Sequence, residues 1–271
     1  MSFQPVIPMS GFTGWRFLSR TMAPQQAAFD RSPVVEKEVR YFQQNIAKVS
    51  SAAELVGDRK LLKVALGAYG LDSDLTNKFF IQKVLEGNTA DSKALVNKLA
   101  DKRYVEFAKA FGFGDFPTPN TKLSDFGDKI TTLYKTRQFE VAVGEQDNDM
   151  RLALSLQRDL TAVAEKTSSE DAKWFTVLGT PSLRSVFETA FNMPSGFGSL
   201  DLDRQVEELK TRTKKVFGSD SVAQFSTPAT LEKLTQRFMT MSDVRQSQNS
   251  QTGASLALSM LQDSQSNRIR L

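Results

Sequence analysis

The 271-residue chain contains no cysteine and no histidine. The first absence excludes disulfides, thiolate nucleophiles, zinc fingers and iron–sulfur ligation, and the second excludes every Ser–His–Asp arrangement and every imidazole metal ligand. Histidine is the commonest acid–base group near neutral pH. Its loss sets the expectation that the chain is not an enzyme and uses no cofactor and no metal, with carboxylate pairs or a Ser–Lys dyad as the remaining chemistry. Long apolar runs are missing too. No stretch reaches the roughly 18 apolar residues of a membrane span. Pro5, Pro8, Ser10 and Thr13 interrupt the continuous apolar segment a secretory signal would need. The expected location is the cytoplasm, or outside the cell by a route that needs no cleaved signal.

Charge of one sign is also scarce. Lysine and arginine total 35 and the acids 31, a net +4, and the two signs are interleaved. The densest basic cluster, Lys210, Arg212, Lys214 and Lys215, follows directly on Glu207 and Glu208. Intermixed acids cancel most of the field that phosphate binding requires, so the cluster reads as a solvated helix face and nucleic acid is not expected as a partner.

What is present is helical periodicity. Ser32 reads as an N-cap and Pro33 as the first helical residue. Val35, Val39, Phe42, Ile46 and Val49 then recur at intervals of four and three. Ser51 and Glu54 have the spacing of a capping box, and Asp58 is placed to cap the following helix. Three segments share one ending: Ala68-Tyr69-Gly70-Leu71, Ala110-Phe111-Gly112-Phe113 and Ala190-Phe191-Asn192-Met193. Glycine and asparagine tolerate the left-handed conformation past a helix, so all three read as C-caps of the Schellman type. Further helices are expected near residues 74–86 and 92–100, from Asp101 to Phe111, around Trp174, from Pro181 to Phe191, from Leu202 to Val216 and from Pro228 to Met241. Between residues 130 and 164 the pattern fits one long helix or two, depending on Gly144.

No run alternates in the manner of strands. The expected fold is therefore all-α and multihelical, with roughly nine to eleven helices that could form two packed subdomains. The divisions are residues 1–31, an N-terminal segment with a short aromatic helix; 32–122 and 123–241, the two helical subdomains; and 242–271, a polar linker followed by an amphipathic helix. The boundary near residue 122 rests on Pro117 and Pro119, although Phe113, Phe116 and Phe126 indicate a loop that packs down.

Three pairs, Asp72/Asp74, Asp147/Asp149 and Asp201/Asp203, resemble openings of calcium loops but lack the glycine and glutamate those loops need. They read as helix caps. Gly112-Phe-Gly114 and Gly196-Phe-Gly198 lack both a third glycine and a preceding strand, which rejects a dinucleotide fingerprint.

Several segments in order, "GWRFLSRTMAPQQAAFDRSP", "DRKLLKVALGAYGL", "VLEGNTADSKALVNKLADKRYVEFAKAFGF", "FEVAVGEQDNDMRLALSLQRDL", "WFTVLGTPSLRSVFETAFNMP" and "LTQRFM", resemble a bacterial family classed as domain of unknown function 1217. The resemblance runs roughly from Gly11 to Met241. Members are typical of alphaproteobacteria, and some are encoded among flagellar genes. The resemblance implies a multihelical fold and an association with the flagellum, and it carries no catalytic residues.

Together these readings lead to the expectation of a non-enzymatic helical protein that supports flagellar assembly or structure through protein–protein contacts. A cytoplasmic flagellar export chaperone or adaptor is the alternative, and a carboxylate- or lysine-dependent enzyme a third. The expected contact residues are Trp15, Phe17 and Leu18 near the N-terminus and Leu256, Leu258, Met260 and Leu261 near the C-terminus. Large aromatic and aliphatic side chains anchor interfaces because each buries much area. For both groups, packing onto the chain's own core is the competing expectation.

Overall fold

A computed structural model describes the backbone of residues 3–266 and the side chains of residues 3–248. Thirteen α-helices and no strands occur among the described residues, and eleven of the helices have at least seven residues. The first seven are α1 (Gly11–Asp30), α2 (Pro33–Asn45), α3 (Ala52–Gly57), α4 (Arg59–Ala68), α5 (Lys78–Glu86), α6 (Leu95–Lys98) and α7 (Arg103–Phe111). The remainder are α8 (Phe126–Gly144), α9 (Asn148–Ala164), α10 (Glu170–Leu178), α11 (Pro181–Ala190), α12 (Leu202–Phe217) and α13 (Pro228–Ser266). The all-α reading holds.

Buried side chains form one cluster that extends from Trp15 to Met239. Within it α8 packs along α4 and α2, α9 packs on α8 and α11, and α11 packs on α13. The crossing of α4 and α8 is close because Gly67 carries no side chain: a Cβ there would lie 2.7 Å from the Tyr134 ring. Trp174 fills the core beneath α10, where its indole Nε1 donates to Asp220 O at 2.9 Å and its ring meets Phe187 edge-on. Burying an aromatic while satisfying its polar atom is the arrangement such rings favour.

The three repeated endings are all left-handed caps, in two geometries. At α4, Gly70 has φ +67°, and the amides of Leu71 and Gly70 donate to Leu66 O and Gly67 O. At α11, Asn192 has φ +48°, with Met193 and Asn192 donating to Glu188 O and Thr189 O. Both are Schellman motifs. At α7 the Gly112 amide donates to Ala108 O instead, a single αL bond, because the chain turns into a further turn in which Phe116 N donates to Gly112 O. The Schellman reading is corrected there.

Several N-terminal caps follow the expected residues, but Ser32 stands at the start of α2 without a side-chain bond, and Asp72 and Asp74 cap no helix: Asp72 accepts from Gln138, and Asp74 from Tyr104 and Asn77. The Ser51 hydroxyl accepts from Glu54 N while the Glu54 carboxylate reaches Ser50 N. Asp58 accepts from Lys60 N and Leu61 N, and Asp147 from Asp149 N and Met150 N. That last cap splits residues 130–164 into α8 and α9.

Four elements differ from expectation. The N-terminal helix α1 is twenty residues long and runs through Pro24, which lies on its exposed side. The 74–86 helix starts only at Lys78, after a 3-10 segment Asp72–Thr76. The 92–100 helix shrinks to the single turn α6. Asn88, Asp91 and Asn97 bind nearby main-chain groups and hold that segment in turns, as short polar side chains do. Finally, α13 continues through the expected linker for thirty-nine residues. Two of the polar residues taken for linker make tertiary bonds: the Ser242 hydroxyl donates to Asp149, and Arg245 donates to Glu188 O, Met193 O and Thr189 Oγ1 at the end of α11.

Candidate functional site: an apolar groove between α7 and α8

The sequence-selected contact residues divide three ways. Trp15 and Leu18 are 3% and 0% exposed, and lie on the face by which α1 packs against α13, α8 and α9. Their assignment as contact residues is corrected: their area is already spent on the chain's own core. Phe17, 37% exposed, points away from that face. Leu256, Leu258, Met260 and Leu261 fall on α13 but lie outside the residues whose side chains are described.

The surface that does offer apolar area is a groove of about 670 Å³ between the end of α7 and the start of α8. Its floor is Phe126 and Ile130, both buried, with Ala110 and Tyr69. Leu123, 54% exposed, and Leu133, 37% exposed, form its walls. Phe116, 53% exposed, lies against Gly112, where a Cβ would come within 2.8 Å of its ring.

Local sequence explains why the groove is held open. Pro117 and Pro119 prevent residues 113–125 from extending either helix. Asn120 then donates its amide to Ala110 O at 2.9 Å, satisfying a carbonyl left free at the end of α7. Thr121 donates to Val49 O at 2.7 Å from a fully buried position, and Lys122 donates to Ala47 O at 2.8 Å. The loop is thus pinned to the 3-10 turn that follows α2, and Leu123 projects outward between that anchor and the start of α8.

The rim is polar. Lys129 pairs with Asp125 at 2.6 Å, and this pairing holds the Asp125 carboxyl below the usual carboxylate range. Asp128 accepts from the Gln43 amide at 2.7 Å and pairs with no cation among the described residues, so the charged groups that line the groove there, Asp125, Asp128 and Lys129, sum to one negative charge. An apolar floor with a few polar groups at the edge is the composition of a surface that binds by burial and orients by charge.

Sequence reasoning did not select these residues. They come from the residue after α4, from α7, a loop and α8, so no spacing unites them. One signal was present: on α8, Ile130 and Tyr134 define the buried stripe, and Leu133 lies off it by one residue, about 100° around the helix.

Among the described residues, no group of His, Cys, Asp or Glu side chains could hold a metal ion, and no helix is long and apolar enough to cross a membrane.

The fold and groove define an all-α protein built on a single buried cluster. Residues 68–231 match the model of a family described as a protein of unknown function (DUF1217), and the chain belongs to that family. The crystal structure of protein AGR_C_984 from Agrobacterium tumefaciens is similar, with 25% identity and a TM-score of 0.72, covering 89% of this chain and 99% of that one. No curated protein matches the sequence.

Proposed function

We propose that this chain is a non-enzymatic helical protein that supports flagellar assembly or structure by holding an amphipathic helix of a partner protein in the α7–α8 groove. The observation that carries the proposal is the pair of outward leucines over an apolar floor, Leu133 on α8 and Leu123 on a loop that is itself pinned. A helix laid in such a groove buries residues at i, i+3 or i+4 and i+7. The uncompensated Asp128 on the rim favours an occupant whose apolar stripe is flanked by lysine or arginine. The flagellar setting comes from the family resemblance seen in the sequence.

The test is affinity capture from motile cells with the wild-type chain and with a Leu123→Glu/Leu133→Glu variant, together with a deletion strain scored for swimming. The proposal expects a flagellar component that the wild type retains and the variant loses, and impaired swimming in the deletion strain. Normal swimming with no flagellar component captured would remove it. Fractionation separates the two flagellar roles, since a structural part co-purifies with basal bodies or filaments and an export chaperone stays in the soluble fraction.

A further inference from the structure

A second cavity, of about 600 Å³, opens between α8, α9 and the start of α11, and three arginines from three helices face it: Arg103 of α7, Arg137 of α8 and Arg151 of α9. Two of them are neutralised from behind. Arg103 forks onto Asp101, with contacts of 2.7 to 3.1 Å, and also donates to Gly70 O. Arg137 pairs with Asp159 at 3.2 Å, while its buried Nε has no hydrogen-bond partner.

Arg151 differs from both. Among the described residues its guanidinium donates only to the neutral Asn148 Oδ1, at 2.7 and 3.1 Å, and pairs with no carboxylate. Burial and the like charge of Arg103 push its pKa below the usual guanidinium value. Two guanidiniums of like charge thus share a partly desolvated space. The position is built: Gly144 leaves room for the Arg151 stem, since a Cβ there would lie 2.5 Å from Arg151 Cδ.

The same cavity receives the first turn of α11 through Pro181 and Ser182. That helix start has no side-chain cap, because Thr180 donates its hydroxyl to Thr176 O. The uncapped start of α11, with the positive end of its dipole, thus lies at the same cavity.

Acids are present and are placed differently. Glu140 pairs with Arg158 and is satisfied inside the core. Asp72, which accepts from Gln138, and Glu145 are exposed at the mouth, where water screens them. The interior is positive and the mouth accepts hydrogen bonds.

We infer that this cavity binds a small phosphorylated, hydroxyl-bearing molecule, its phosphate held between Arg151, Arg103 and the start of α11 and its hydroxyls donating to Asp72 and Glu145. The volume lies in the range of small-molecule sites, about 300–1,000 Å³, and exceeds what a lone phosphate fills.

The test is isothermal titration of the full-length protein at low ionic strength with ribose 5-phosphate, inorganic phosphate and ribose. Ribose 5-phosphate should bind at least about tenfold more tightly than phosphate, and ribose should give no signal. Arg151→Gln should weaken ribose 5-phosphate by about tenfold or more, the loss of a charge-assisted pair. Its melting temperature should be unchanged or raised, because a repulsion is removed. Gly144→Ala, which keeps every charge but displaces the Arg151 stem, should weaken binding as well. No binding of ribose 5-phosphate at about 10 mM, or equal affinity in wild type and Arg151→Gln, would overturn the site. Equal affinity for phosphate and ribose 5-phosphate would overturn the ligand class.

Discussion

Gln25 holds Val6 by both of its main-chain groups: the Gln25 Oε1 accepts from Val6 N at 2.6 Å, and Nε2 donates to Val6 O at 3.1 Å. A buried side-chain amide here does for the N-terminal segment what a neighbouring strand would do. Gln146 adds a donor to Pro5 O at 2.6 Å, and Phe3 meets Phe29 edge-on. Gly14 lets the segment return over α1, since a Cβ there would collide with Met9 O. Residues 3–8 are thereby fixed without regular secondary structure, with a bend at Met9.

Gln25→Ala removes two hydrogen bonds to the main chain of one residue. The expected cost is about 1–3 kcal/mol, from about 0.5–1.5 kcal/mol for each bond. Chemical denaturation measures it, and the Val6 amide should lose its protection from hydrogen exchange. Exchange at Val6 unchanged by the substitution would show that other contacts hold the segment.

Trp15 and Phe17 are two residues apart and should behave oppositely. Trp15→Ala empties a buried site and should cost about 3–5 kcal/mol. Phe17→Ala alters a partly exposed ring and should stay within about 0.5 kcal/mol. Paired urea titrations check both, and equal costs would contradict the packing of α1 described above.

Asp243 of α13 lies in a cleft with Asp147 and Asp149 at the start of α9, and Arg245 lines the same cleft. Burial first, and then the charges of Asp149 and Asp147, raise its carboxyl above the usual carboxylate range. A carboxyl with a raised folded-state pKa binds its proton more readily folded than unfolded. Its contribution is therefore most favourable at low pH and declines as pH rises through the folded-state value. Asp243→Asn should melt higher than wild type near neutral pH, and the difference should shrink as pH falls below the carboxylate range. A difference that widened on acidification would contradict the sign.

How far the fold could be read in advance follows from the range of the interactions involved. Caps are local, so Ser51 with Glu54, Asp58, Gly70 and Asn192 were legible from their neighbours alone. The choice between the Schellman and αL forms at Gly112 depends on where Phe116 goes, and that is set by the pinned loop. The start of α13 at Pro228 was visible, but its passage through Ser242 and Arg245 was not. Polar composition resembles a linker until the partners Asp149 and Glu188 are known. The candidate sites were the least legible. Leu123 stands on a loop and Leu133 on α8, around a floor drawn from α8, α7 and the end of α4. Gly144 raised a question of helix continuity, and its structural use, making room for Arg151, involves a residue on the next helix.

The most direct test of the account is site-specific photo-crosslinking in living cells, with a benzophenone side chain replacing Leu133 in the groove and, as a control, Lys215 on the exposed side of α12. The account expects position 133 to crosslink to a helical segment of one partner protein, position 215 not to do so, and the crosslink at 133 to vanish when Leu123→Glu is added. The same crosslinked species at both positions, or none at 133, would contradict it.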